Sequence, residues 1–591
     1  MSRQSGAFTN QTDEFMGLTE HWHIIDLVLL GAYFAGITAL GLWAGAGNSG
    51  SHDFFLPRRF GKWMMTMHAF GTGTASDQAV TVASATFRNG LSGIWMQLMW
   101  LFSTPFYWLI APVFRRLRAL TTADVYELRF NRSVAVLFAL VGIANMVVKI
   151  GLMLKGGTAL IVAATGESIA PVPALVVMTL IMLVYGVFGG LSAAILTDFV
   201  QGILTIVFSF MLLPLVLSAV GGMNGIRETI GDPGFLALVE PGKFNLMYIA
   251  MLSLQVLIGI VAQPFIMGVC SAGRTEKEGR FGFVVGNFFK RGCTIAWSLT
   301  ALAAVALYIQ RGIDPTGVDG DRIYGQLAQE FLPGLMPGML GIFIACLLAG
   351  VMSSCDSFMV SAAALFTRNL YEPLFPAGSD SSRLMAGRIV AVLVVLGGVG
   401  FALYVPNVIR ALEIWLKIAP MIGMAFWMGL LWKRMNAPGA WVTTVVGFLA
   451  WWLTGWQPFL QWMNEIGTFD FMLTGDSGDP VRMKQSWGIV FYLFCGSFSG
   501  AAVAFLTPPV NKVRLDRFYT LIETPIMPGE PTDCVCEIPA GSKPKNYRKL
   551  LENFGLFLPV PGIQTQIGFY FAWAGVVGVI LLFMGIVRWL P

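Results

Sequence analysis

The stretch Met67-His-Ala-Phe-Gly71-Thr-Gly73-Thr-Ala-Ser-Asp77-Gln78 decides how this chain folds. It lies inside an otherwise apolar run, yet it holds two glycines, three hydroxyl side chains, a carboxylate and an amide. Each glycine lowers helix stability by about 1 kcal/mol relative to alanine. Hydroxyl side chains can also bond to backbone groups that a helix would otherwise use. The pattern therefore predicts a broken helix at 71–74.

The composition around this stretch is that of a membrane protein. Of the 591 residues, 56% are hydrophobic and only 12% are charged, whereas soluble proteins carry about 25% charged residues. A soluble domain of this length could not bury so much apolar surface. The composition excludes a disordered chain and a nucleic-acid-binding protein, and we expect an integral multi-pass protein of the cell (inner) membrane, in contact with lipid.

Fourteen apolar runs are candidates for membrane-spanning helices, which need about 20 residues each. With the N-terminus outside, 25 basic residues fall in cytoplasmic loops and eight fall outside. Since cytoplasmic loops carry an excess of Lys and Arg, we expect both termini outside. The runs lie at about 23–44, 62–88, 93–113, 134–161, 171–189, 196–220, 244–270, 283–309, 338–366, 386–406, 410–432, 437–456, 486–507 and 566–589.

A second polar stripe lies in the ninth run, Ala349-Gly350-Val-Met-Ser353-Ser354-Cys-Asp356-Ser357. On a helix its hydroxyls share one face, and Asp356 borders that face. Serines that bond their own helix carbonyls would account for the hydroxyls but not for Asp356. Hard oxygen donors without soft ligands suit a monovalent cation better than zinc or copper. Ionisable residues inside spans mark functional sites, and here they are Asp77, Lys149, Lys155, Asp198, Asp356 and Lys417.

At these residues the chain resembles the sodium/solute symporter family, which includes bacterial galactose, proline and sialic acid transporters and the animal sodium/glucose cotransporters. The resemblance covers nearly the whole chain, and its strength is the order and spacing of several motifs. The motifs lie at 53–59, 121–130, 185–201, 263–264, 352–354 and 429–436.

The resemblance implies an all-α polytopic fold of the leucine-transporter type, with a core of two inverted five-helix repeats. The repeats would be 62–220 and 244–432, and each would begin with a broken helix, near 71–74 and near 255–264. The other expected segments are an extracytoplasmic 1–22, a peripheral helix 23–44, peripheral helices in 437–507, a cytoplasmic loop 508–565 and a last span 566–589.

The resemblance also implies a coupling ion, sodium, and no other cofactor. A main sodium site would map to Gly71, Thr74, Gly350, Ser353 and Ser354. A second sodium site, present in some members, would map to Asp198, Ser353, Asp356 and Ser357. Two close carboxylates resist simultaneous ionisation, so either a second sodium ion or a proton could fill that place.

The solute is less well defined than the ion. Gln97 stands where sugar-transporting members usually have Glu, and Ile258 and Gly259 replace aromatic residues that cap the sugar. These departures leave a small polar solute, which could be a sugar, an amino acid or an organic acid whose charge Lys155 or Lys417 neutralises. The candidate solute-binding residues are Gln78, Gln97, Gln255, Lys290, Lys155 and Asp77.

The sequence thus predicts a sodium-coupled symporter that works by alternating access and is not an enzyme. Three alternatives stay open: a proton-coupled symporter of the same fold, a transporter-like sensor without an appended kinase, and a membrane enzyme. A membrane enzyme would need a His/Asp or carboxylate constellation at a membrane face, and none stands out. The oligomeric state is not encoded in any motif.

Overall fold

The computed structural model describes residues 23–45, 55–242, 244–474, 480–527, 529–531, 534–545 and 547–589. The segment 1–22, expected outside the membrane, lies outside these ranges. The described chain is mostly helical, with two short antiparallel hairpins, β1–β2 and β3–β4. The first half comprises α1 Ile24–Gly45, α2 Lys62–Gly71, α3 Ser76–Asn89, α4 Thr104–Arg116, α5 Thr122–Arg129, α6 Arg132–Ala164, α7 Pro171–Met211, α8 Leu213–Ala219, α9 Gly222–Ile230, α10 Leu246–Ile260 and α11 Ile266–Ser271.

The second half begins with the long helix α12, and both hairpins belong to it. Short helical turns lie at Gly90–Ile94, Trp95–Leu98, Met99–Leu101, Pro315–Gly317, Thr367–Tyr371, Glu372–Leu374, Asp470–Met472 and Glu552–Phe554. The named elements are α12 Glu276–Gln310, α13 Ile323–Phe331, α14 Met339–Phe366, α15 Asp380–Tyr404, α16 Val408–Leu431, α17 Ala437–Leu453, α18 Gln457–Ile466, β1 Leu473–Thr474, β2 Arg482–Met483, α19 Gln485–Leu506, α20 Lys512–Glu523, β3 Lys549–Leu550, β4 Leu558–Pro559 and α21 Ile563–Trp589.

The helix break predicted from the opening stretch is confirmed. Helix α2 ends at Gly71 and α3 begins at Ser76, with Gly73 between them at φ +85°. An L-residue with a side chain avoids that backbone conformation, which explains the glycine. A second interruption separates α10 from α11 at residues 261–265 and agrees with the break expected near 255–264.

Nine helices of the described residues are long and apolar enough to cross a membrane, and three shorter apolar helices accompany them. The protein is therefore an integral membrane protein, and the fourteen spans and the inverted repeats stay predictions. Helix interruptions explain much of the difference between the fourteen predicted spans and the nine long apolar helices of the described residues. The run 62–88 is divided at the break, and the run 93–113 consists of short turns followed by α4. Between 171–189 and 196–220 the chain turns only at Gly190, where φ is +65°.

The packing places three elements around the break. Helix α7 packs against α2 and α14, and α12 packs against α2 and α3. Hydroxyl, carboxylate and ammonium groups of these helices are buried together at the centre of the bundle. In a membrane interior such groups must satisfy one another, because no bulk water reaches them. This arrangement brings the polar stripe of α14 against the unwound backbone.

The segment from α20 to β4 crosses one end of the bundle, which we name the strap (residues 512–559). Its Glu530 forms a buried ion pair with Arg118 at 2.5 Å. Its Ile526 N–H donates to Glu276 on α12, which also pairs with Arg116 on α4 at 2.9 Å. The strap thus connects helices from both halves of the chain.

Candidate functional site

The unwound segment 72–75 exposes backbone groups that a helix would have paired internally. Ser354 on α14 donates its hydroxyl to the Gly71 carbonyl at 2.9 Å and accepts the Gly73 N–H at 3.0 Å. The next carbonyl, of Thr72, accepts a hydrogen bond from Lys290 Nζ at 2.8 Å. The carbonyl of Gly73 accepts one from the Gln78 amide. Side chains from two other helices therefore satisfy this backbone.

The five residues predicted as the main sodium site lie together. A methyl group on Gly71 would lie 2.6 Å from Ser353 Oγ, and one on Gly350 would lie 3.3 Å from the Thr74 carbonyl oxygen. With the bonds of Ser354, these distances place carbonyl oxygens of the break opposite hydroxyls of α14. All five residues are buried. Such a cluster of hard, neutral oxygen donors is chemically suited to an alkali cation.

Beside this cluster, Asp198 of α7 has both carboxylate oxygens engaged. Ser353 donates its hydroxyl to Oδ1, and His68 Nδ1 lies 2.6 Å from Oδ2. The Thr72 hydroxyl lies 3.2 Å from the same His68 nitrogen and 3.1 Å from the Ser357 hydroxyl. The predicted second site therefore includes a group that the sequence reasoning missed, His68. A histidine inside the broken helix, one turn before Gly71, was the signal available.

Asp356, the other predicted carboxylate of that site, is 3% exposed on α14. One turn earlier on the same helix, the Met352 sulfur accepts a hydrogen bond from Tyr33 Oη of α1 at 3.9 Å. Gln201 of α7 donates to the same Tyr33 oxygen at 3.2 Å. The N-terminal helix α1 thus closes this side of the polar cluster.

A small cavity of about 40 Å³ lies on the other side of the break, and we name it the central cavity. Its polar lining includes Gln78, Lys149, Lys290 and Arg291, and its aromatic lining includes Trp415. A buried water needs roughly 10–15 Å³ of such volume, so this cavity holds no organic solute without rearrangement. Two of the predicted solute-binding residues, Gln78 and Lys290, line it.

Lys149 and Asp77 form a buried ion pair beside the central cavity. The Nζ–Oδ2 distance is 2.7 Å, and the two side chains are 1% and 0% exposed. The Lys149 ammonium also lies 4.5 Å from the centre of the Trp415 ring. Asp77 therefore pairs with Lys149, which lines the central cavity, but Asp77 does not line that cavity itself.

A much larger cavity of about 810 Å³, the vestibule, lies where α10 and α16 begin. Gln255 lines it and donates to the Leu416 carbonyl at 2.7 Å. Adjacent residues face the two cavities, Leu416 the vestibule and Trp415 the central cavity. Gln78 and Gln255, two of the candidate solute-binding residues, therefore line different cavities.

Of the remaining predicted residues, Gln97 and Lys155 line neither cavity. The Gln97 carbonyl accepts a hydrogen bond from Arg291. The Gln97 side chain is buried and lines neither cavity. Lys155 is half-buried on α6 and lines neither cavity. Lys417, considered for an anionic solute, lines the vestibule.

The family model described as "Sodium:solute symporter family" matches residues 54–447, which is two thirds of the chain. The protein belongs to the sodium:solute symporter family. The matched residues include the break, the α14 stripe and the residues named above that line the two cavities. Family membership supports sodium-coupled symport.

The names of several relatives of this protein refer to chemically different solutes. It is 26% identical to a sodium/glucose cotransporter of Vibrio parahaemolyticus, over 72% of this chain and 83% of the relative. It is 28% identical to the osmoregulated proline transporter OpuE of Bacillus subtilis, over 73% and 89%. It is 26% identical to a sodium/pantothenate symporter of Haemophilus influenzae, over 67% and 83%. These relatives are transporters, which supports a transporter and not an enzyme.

A solved structure shares the fold. It is the substrate-bound, outward-open state of a Na⁺-coupled sialic acid symporter, 18% identical, with a TM-score of 0.68 over 83% of this chain and 99% of the other. At that identity the likeness concerns the fold alone.

Proposed function

We propose that this protein is a sodium-coupled symporter whose coupling ion binds between the helix break and α14. The carbonyls of Gly71, Thr74 and Gly350 and the hydroxyls of Ser353 and Ser354 would supply its ligands. The observation that carries the proposal is the direct contact of Ser354 with both sides of the break. An ion there would hold the two repeats together at one point.

We further propose that the solute carries a carboxylate. Lys149 is paired with Asp77, but the hydrogen bonds of Lys290 and Arg291 recorded among the described residues go to backbone carbonyls. Neither cation has a directly paired carboxylate among the described residues. Such an arrangement is unfavourable for a buried charge, and an anionic solute would compensate it. The central cavity therefore favours an organic acid or an amino acid over a neutral sugar.

The proposed orientation of the protein in the membrane follows from the distribution of arginine residues. The end of the bundle that carries the strap gathers Arg116, Arg118 and Arg129, with Glu276 and Glu530 as partners of the first two. An excess of arginine favours the cytoplasmic side. The vestibule would then open outside, toward the incoming solute, with both termini on that side and the protein in the inner membrane.

The experiment is uptake into proteoliposomes with and without an inward sodium gradient. The panel pairs small carboxylic acids with their uncharged amides. We expect sodium-dependent uptake of acids at least tenfold faster than of the matching amides. Lys290→Met should reduce that preference, whereas Lys155→Met, the same change outside both cavities, should keep it. Equal uptake of acids and amides would refute the solute class while leaving sodium coupling intact.

Proton coupling is the second candidate, since a histidine and an aspartate are bonded beside the break. It predicts that a protonophore abolishes uptake even when the sodium gradient is held constant. Persistence of uptake under that condition would exclude it.

A further inference from the structure

His68 lies where the resemblance would place a second sodium ion. Asp198 is one of the two carboxylates mapped to that site, and its Oδ2 is 2.6 Å from His68 Nδ1. Hydrogen bonds that involve a charged group are short and roughly twice as strong as neutral ones. Both the neutral Nδ1–H tautomer and the imidazolium can donate to the carboxylate, so the contact does not depend on the charge of the ring.

The Thr72 hydroxyl connects the same nitrogen to Ser357, another residue mapped to that site. Thr72 Oγ1 lies 3.2 Å from His68 Nδ1 and 3.1 Å from Ser357 Oγ. Ser353, which would be shared by both sodium sites, donates its hydroxyl to the remaining oxygen of Asp198. The imidazole is thus surrounded by the donors that a cation at this place would need.

Packing fixes the imidazole in that position. The ring is 1% exposed, and a methyl group on Gly268 of α11 would lie 3.5 Å from Nε2. The same methyl group would lie 3.3 Å from Leu191 of α7. Helix α11 therefore lies beside Nε2, while Nδ1 faces Asp198. The buried ring has little room to turn away from Asp198.

We propose that the His68 imidazole takes the place of a second sodium ion, so that this symporter binds one sodium, at the main site, per transport cycle. The inference rests on the proposed sodium-coupled function. A buried carboxylate requires hydrogen-bond donors or an opposite charge, and His68 and Ser353 engage both of its oxygens. A second sodium ion would have to break the 2.6 Å contact and find room where the ring now packs.

The test counts bound sodium and needs no identified solute. Purified symporter is titrated with ²²Na⁺, and the number of sites per protein is read at saturation. We expect one site in the wild type and two in His68→Ala, which removes the ring and leaves Asp198 available. His68→Asn, whose amide can donate from nearly the position of Nδ1, should keep one site.

The outcomes separate this inference from the proposed function. Two sites in the wild type would overturn the inference while leaving sodium coupling intact. One site in a folded His68→Ala variant would also overturn it, because the ring would then not be what excludes the ion. A count of zero in the wild type would refute the proposed function itself. If His68→Ala does not fold, the wild-type count decides between one site and two.

Discussion

Ser354→Ala tests the proposed sodium site at Ser354 Oγ, which contacts both sides of the helix break. Ser354 Oγ donates to the Gly71 carbonyl at 2.9 Å and accepts the Gly73 N–H at 3.0 Å. Alanine removes both bonds and one of five proposed sodium ligands. Loss of a hydrogen bond to a charged group costs about 1.5–3 kcal/mol, and we take this as the scale for the lost ligand. Half-saturating sodium should then rise about ten- to 150-fold.

The assay is sodium-dependent uptake in proteoliposomes, together with ²²Na⁺ binding to purified protein. Ser361→Ala is the matched control, since Ser361 lies on the same helix and its hydroxyl donates only to its own helix carbonyl, at 2.6 Å from Ser357 O. It should leave half-saturating sodium within about twofold, because no ligand is lost. Ser354→Cys keeps the side-chain size but replaces oxygen by sulfur, a poor donor for a hard cation. It should resemble alanine. Unchanged sodium dependence in folded Ser354→Ala would remove the residue from the site.

Three further predictions use other parts of the structure. Lys149→Met and Asp77→Asn should each destabilise the protein in detergent by about 3–5 kcal/mol because each leaves a buried charge unpaired; the double variant should recover much of the loss, and additive losses would contradict the pairing. Gly71→Ala should abolish sodium-dependent uptake because its methyl group would meet Ser353 Oγ at 2.6 Å, whereas Gly61→Ala, whose methyl group meets nothing within 4 Å, should be tolerated. Glu530→Gln should speed proteolysis of the strap because it breaks a buried pair with Arg118, whereas Glu552→Gln, in an exposed pair with Lys433, should not.

The helix break could be predicted from sequence because its cause is local. Two glycines and several hydroxyls in one apolar run weaken the helix wherever it is packed. The proposed sodium ligands were placed by resemblance, since carbonyl donors of Gly71, Thr74 and Gly350 carry no side-chain signal of their own. Their convergence depends on how α14 packs against the break, which is a tertiary property.

The solute residues could not be predicted in the same way. Gln78 and Gln255 both lie near helix breaks, but a layer that includes Trp415 separates the cavities they line. His68 was missed because a single histidine on an apolar helix has no pattern to distinguish it. Its role depends on Asp198, which is 130 residues away in the chain. Long-range pairs of this kind become visible only when the helices are packed.

The break itself explains how sodium and solute can be coupled over so short a distance. Three successive carbonyls accept hydrogen bonds from three different groups: Gly71 from Ser354 in the proposed sodium site, and Thr72 and Gly73 from Lys290 and Gln78, which line the central cavity. Any movement of this unwound backbone changes both sites at once. Coupling requires that each ligand favour the same conformation of one shared element, and residues 71–73 are such an element. A sodium ion that orders these carbonyls would also position the ammonium and amide that meet the solute.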